Sequence, residues 1–238
     1  MLQTDPNGDM ASYRSRKAPL HFFLYVPQLG RVIPPRLGLE TEIEAAQQET
    51  REMLEKMTDS IVEEWVRQTN NLFVYLSDGR FSLELAGIKR VSLDLPSEFK
   101  PIEEQICALE RDKLRLNEGF KMVVTPEYPS NHGMGIYCGE GIFMVHSRWL
   151  HLGEAQFPHD GPKDVYRTTG MHEIGHGLIG GHCEPKFNER NCLMNPERYD
   201  RARAIILCGD HARIAGWVKK PCLDPDYDIF QKLVNDSS

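Results

Sequence analysis

Apolar residues recur along this chain with two different periods, and the changes of period divide it into extended and helical stretches. His21 to Val26 (HFFLYV) is a short, nearly continuous apolar run, which predicts a strand. A loop punctuated by Pro and Gly follows from Val26 to Gly38, and Thr41 with Glu44 three residues on then forms a capping box that opens a helix. Ile43, Ala46, Thr50, Leu54, Met57, Ile61 and Trp65 recur at spacings of three and four, which predicts one apolar stripe along a helix of about seven turns backing a sheet. Leu72 to Leu76 and Phe81 to Leu85 read as strands joined by the turn Ser77-Asp78-Gly79, with a further extended segment from Gly87 to Leu95. Pro101 to Arg115 reads as a second helix, with Ile102, Ile106 and Leu109 on one side. Phe120 to Thr125 has the composition of a buried strand, and Gly135 to Cys138 with Gly141 to His146 makes two short strands around a Cys-Gly-Glu-Gly turn. Asp164 reads as the N-cap of a third helix that is expected to run through Tyr166 and Thr169 into a group of histidines. No repeat and no linker interrupts the order, so the expectation is one α+β domain with its cleft at this third helix.

Composition narrows the partners. The 238 residues, 40% of them hydrophobic, suffice for a sizeable core. Lys and Arg total 28 against 35 Asp and Glu, a net charge of −7 with both signs interspersed. That balance argues against nucleic acid or an anionic membrane as the main partner. The longest apolar runs, Leu20 to Pro27 and Gly141 to Val145, are far short of the roughly 20 residues of a membrane span. The first residues lack the apolar core and small-residue cleavage site of a secretory signal, which leaves either a protein that stays inside the cell or a processed or recombinant form, with a cytoplasmic location as the expectation.

The chemistry sits in residues 172 to 182, H-E-I-G-H-G-L-I-G-G-H. On a helix, His172 and His176 are one turn apart on one face and reach a single ion, with Glu173 beside them. His182 follows Gly180 and Gly181, which allow the chain to turn back. A catalytic zinc needs such a set: three protein ligands, one open position for water, and a carboxylate to take the water's proton. Two blander readings of these residues are a polar helix face and a zinc bound for structure only. Closed structural sites prefer four protein ligands, usually with Cys, and have no use for Glu173. His132, His146, His151 and His159 are scattered and receive no role.

Six cysteines stand at 107, 138, 183, 192, 208 and 222. Cys183, Cys192 and Cys208 crowd around His182 and Met194, which favours metal binding over a disulfide framework. Cys107 and Cys138 lie apart and read as buried, apolar-like thiols.

With these residues in place, the stretch resembles the metzincin metallopeptidases, whose signature HExxHxxGxxH is followed by a loop bearing a methionine, the Met-turn. Met194, in Cys-Leu-Met-Asn-Pro, is the matching methionine. The motif's glycine falls on Ile179, so either the helix runs one residue further or Gly180 takes over the bend. Within that group the chain is most similar to the archaemetzincins, in which a Cys directly after the third His, another two residues before the Met and a later C-x-x-C hold a second, structural zinc. Cys183 and Cys192 fall on the first two positions, Cys208 near the third, and His211 where the last Cys would stand, although the gaps differ. The resemblance covers residues 164 to about 215.

It implies a single metzincin-like domain, with a mixed twisted sheet, a long backing helix and an active-site helix within residues 1–179, and an irregular subdomain with the Met-turn in 180–238. It further implies a zinc metalloendopeptidase that hydrolyses peptide or protein substrates by an activated water. His172, His176 and His182 would bind the catalytic zinc, Glu173 would be the general base, and Cys183, Cys192, Cys208 and His211 would bind a second zinc. A peptide substrate would lie along one of the strands around Gly135 to His146. Tyr199 stands at the wrong spacing to assist as a tyrosine does in some relatives and reads as a packing residue. Other readings stay open at this point. Cys183 could pair with Cys192 and Cys208 with Cys222 as disulfides. The motif could belong to a non-catalytic module that binds zinc and a peptide, or to another metallohydrolase with Glu189 or Glu197 in place of His182.

Overall fold

The computed structural model describes residues 17–27, 48, 57–93, 107, 119–125, 135–139, 141–146, 163–182, 192–196 and 206–218. In chain order its elements are β1 (Lys17–Pro27), α1 (Asp59–Ser77), β2 (Ser82–Leu93), β3 (Phe120–Thr125), β4 (Gly135–Gly139), β5 (Ile142–His146), α2 (Lys163–Ile179) and α3 (Gly209–Ala215). The strands form one five-stranded mixed sheet in the order β2-β1-β3-β5-β4. β1 runs parallel to β2 and β3, and β3 parallel to β5, whereas β4 is antiparallel to β5. This mixture of sheet and helices agrees with the expected α+β class.

Alternation along the inner strands sorts side chains to two faces. Leu20, Phe22 and Leu24 of β1, Phe120, Met122 and Val124 of β3, and Phe143 and Val145 of β5 join the core that α1 and α2 cover. Phe23, Val123, Ile142, Met144 and Cys138 form a second apolar cluster. Both faces of a largely parallel sheet are apolar, as burial on both sides demands.

α1 departs from expectation at both ends. Thr58 is extended (φ −77°, ψ 161°) and serves as N-cap, so the helix expected across Thr41 to Trp65 is not continuous. Gln48 is helical, and the rest of 41–56 lies outside the described residues. At the other end, Leu72 to Leu76 is helix rather than strand. Val62, Trp65, Val66, Thr69, Leu72, Phe73 and Leu76 are all buried at helical spacing, and this long stripe outweighs the β-propensity of Leu-Phe-Val-Tyr-Leu. Ser77-Asp78-Gly79 is therefore not a hairpin turn but the helix terminus, with Asp78 left-handed (φ 53°) and Gly79 N–H donating to the Val74 carbonyl at 2.8 Å.

Phe81 to Leu85 and the extended segment after it are one strand, β2. The strand at Phe120 to Thr125 and the short pair at 135–139 and 142–146 are found where the pattern places them. The expected helix at Pro101 to Arg115 is described only at Cys107, which is helical. Cys107 and Cys138 are not separate thiols: they form a disulfide with Cα atoms 5.4 Å apart. α3, in a stretch expected to be irregular, is short and capped by Gly216 in the left-handed region (φ 69°). No helix among the described residues is long and apolar enough to cross a membrane.

Candidate metal centres

α2 presses its motif face into the molecule: Met171, Ile174 and Leu178 are fully buried, and His172 and Glu173 are only 4% and 6% exposed. Its glycines allow that approach. A Cβ on Gly175 would lie 2.5 Å from Met194 Sδ, and one on Gly177 would lie 3.0 Å from the Phe143 ring. Larger residues at either position would hold the helix off the Met194 loop or off β5. The helix continues through Ile179, and Gly180 then takes a positive φ of 113°, so the glycine one residue late makes the bend. The turn that follows brings His182 back to the helix.

The structure places His172, His176 and His182 together. His172 Nε2 is 3.1 Å from His176 Nε2 and 3.1 Å from His182 Nε2. A tetrahedral ion with nitrogens at about 2.0–2.1 Å holds its ligands roughly 3.3 Å apart, close to this spacing. The backs of the rings decide the tautomers. His172 Nδ1–H donates to the Leu193 carbonyl at 2.6 Å, and His176 Nδ1–H donates to the Gly180 carbonyl at 2.9 Å. A carbonyl has no proton to give, so in the neutral rings both Nε2 atoms carry lone pairs. These lone pairs face each other at 3.1 Å, an arrangement that repels unless a cation lies between them. A proton on His182 Nε2 would satisfy His172 but leave the His172–His176 pair opposed. One metal ion satisfies all three rings, so the donor set fits a divalent cation. His172 is buried, His176 half-buried and His182 exposed, so the group opens to solvent on one side.

A second group is linked to the first through the Gly181 carbonyl, one residue before His182. Cys192, Cys208 and His211 are all buried, with their ligand atoms within 4.8 Å of one another. His211 Nδ1 is 3.1 Å from Cys208 Sγ and 3.6 Å from Cys192 Sγ, while its Nε2–H donates to the Gly181 carbonyl at 3.0 Å. Burial holds the His211 imidazole below its ordinary pKa, against the opposing pull of the Gly181 carbonyl and Asp210. Neither Cys192 nor Cys208 is disulfide-bonded, so neither takes part in the disulfides considered from sequence. Cys183, the fourth expected ligand, lies outside the described residues, as do Tyr199, Glu189, Glu197 and Cys222.

One short loop serves both groups. Leu193 N–H donates to the Ile206 carbonyl at 2.8 Å and Asn195 N–H to the Cys192 carbonyl at 2.9 Å, which fixes the turn. Cys192 then belongs to the second group, the Leu193 carbonyl orients His172, and fully buried Met194 lies under Gly175. The orienting carbonyls of Leu193 and Gly180 escaped the sequence reading because a backbone oxygen leaves no mark on residue type.

No protein-family model matches the chain, and no curated protein does. Among solved structures, metalloproteinase-II from Bacteroides fragilis is similar over 88% of this chain and 55% of its own, at 15% identity and a TM-score of 0.46. A chaperone–substrate complex is similar over 92% of this chain and 33% of its own, at 12% identity and a TM-score of 0.41. The chain thus spans about half the length of the first and a third of the second. Likeness at this level carries no argument about activity.

Proposed function

We propose that this protein is a zinc-dependent metallopeptidase of metzincin type. The observation that supports this best is the set of opposed Nε2 lone pairs, held by carbonyls behind them, next to a buried glutamate one residue along the helix. His172, His176 and His182 hold the catalytic ion. Zinc there would supply Lewis acidity, lowering the pKa of water to about 7 and stabilising negative charge on the attacked carbonyl oxygen. Glu173 takes the water's proton on its carboxylate and returns it to the leaving amine. β2 and β4 are the two edges of the sheet among the described strands, and Gly135 of β4 lies against Glu173, so β4 is the edge that offers itself to an extended peptide, and backbone pairing there reads little sequence. Cys192, Cys208 and His211, with Cys183, hold a second ion that ties the Met194 loop to the turn before His182. A thiolate site of this kind is closed and contributes to folding rather than chemistry. The whole chain forms one peptidase domain, with α2 in residues 1–179 and the Met194 loop in 180–238.

The test is metal removal and return. Purified protein hydrolyses an unstructured peptide, 1,10-phenanthroline abolishes this, and added zinc restores it. Hydrolysis that persists in protein shown to be free of metal removes the proposal.

A further inference from the structure

β4 begins at Gly135, which pairs with Val145 of β5. Gly135 is not among the glycines with positive φ, so its backbone is one that any residue adopts. The reason for a glycine lies across the gap. A Cβ at 135 would lie 2.8 Å from Glu173 Cγ, 2.9 Å from Oε1 and 3.0 Å from Cδ. All three atoms belong to one buried side chain. By contrast, a Cβ on Gly87 of β2 would meet nothing within 4 Å.

We infer that Gly135 is a positioning residue: its missing side chain leaves the space that the Glu173 carboxylate occupies, so the strand beside the cleft sets the place of the base. The inference rests on the reading of Glu173 as general base. What would yield to an added methyl is the end of a flexible side chain, not backbone. Gly135→Ala therefore folds and moves the carboxylate. Lost alignment at a reacting group costs up to about 10²-fold in rate, so kcat falls about 10- to 100-fold. Substrate held by backbone pairing is less affected, and KM stays within about twofold.

The experiment uses zinc-loaded full-length protein, with an internally quenched unstructured peptide as probe. Wild type, Gly135→Ala, Glu173→Gln, the double variant and Gly87→Ala are compared for kcat, KM and bound zinc. The expected result is a kcat loss in Gly135→Ala at unchanged zinc, no further loss when it is added to Glu173→Gln, and wild-type behaviour in Gly87→Ala. Carbon-13 NMR of labelled glutamate, assigned with Glu173→Gln, gives a readout independent of turnover: the Glu173 carboxyl resonance and its titration shift in Gly135→Ala and not in Gly87→Ala. If wild type does not cleave the peptide, or Glu173→Gln cleaves it as well as wild type, the peptidase reading fails while the NMR comparison still decides the role of Gly135. An unmoved Glu173 resonance, or a kcat loss that repeats in full in the Glu173→Gln background, overturns the inference.

Discussion

Gly175→Ala tests whether the Met194 loop and the motif helix are packed as tightly as the structure shows. In an ordinary helix interior the change would stabilise by roughly 0.5–1 kcal/mol. Here the new methyl would sit 2.5 Å from Met194 Sδ and 3.6 Å from Leu193 Cδ2, and Met194 is fully buried. Overpacking of a filled core costs about 1–3 kcal/mol. Steric conflict therefore outweighs helix propensity, and the net loss is up to about 2 kcal/mol, or about 4–8 °C in Tm for a chain of this size. On the proposed metal reading the damage extends to the ion, because Met194 adjoins the Leu193 carbonyl that orients His172. Loss of such an outer partner typically costs about 10- to 100-fold in metal affinity. The assay is thermal unfolding at fixed free zinc, with zinc competition by a chelator of known affinity. A cycle with Met194→Ala gives the coupling, which should be at least about 1 kcal/mol in favour of the double variant. If Gly175→Ala raises the Tm as a plain helical alanine would, or the coupling is zero, the packing argument is wrong.

His211→Ala should lose the proposed second metal, and by releasing the Gly181 carbonyl it should also weaken the proposed metal binding at neighbouring His182; His211→Cys should keep the proposed second metal, and elemental analysis of the three proteins checks both. Peptide mapping without reductant should find Cys107 joined to Cys138. At a sequence separation of 31, breaking the link by Cys138→Ser should cost about 3–4 kcal/mol in urea unfolding of the oxidised protein. Equal stability of oxidised wild type and variant would contradict the bond.

Features written in local pattern were legible in the sequence. The strands at Phe120 to Thr125 and around Cys138 to Gly141 announce themselves by apolar runs between glycines. The histidine group follows from helical spacing, since four residues along a helix bring two imidazoles to one side. Leu72 to Leu76 misled because five apolar residues in a row fit a strand or a buried helix equally, and only the longer stripe from Val62 separates the two. The Cys107–Cys138 bond could not be read, since pairing depends on where the sheet places β4 against a distant segment. Gly135 was hidden for a similar reason: the residue it makes room for is 38 positions away (173 − 135). His211 is singled out by motif resemblance alone, and the fold adds its hydrogen bond to the Gly181 carbonyl in the turn before His182.

The central claim is hydrolysis with Glu173 as base and the three histidines as metal ligands. Its most direct test is peptide hydrolysis by wild type and Glu173→Gln, with zinc content measured on the same samples. Glutamine keeps the size of the side chain and cannot accept the proton. The account predicts a loss of about 10²-fold or more in kcat for Glu173→Gln with zinc unchanged. Equal turnover by the two proteins, or loss of the zinc together with the activity, would contradict it.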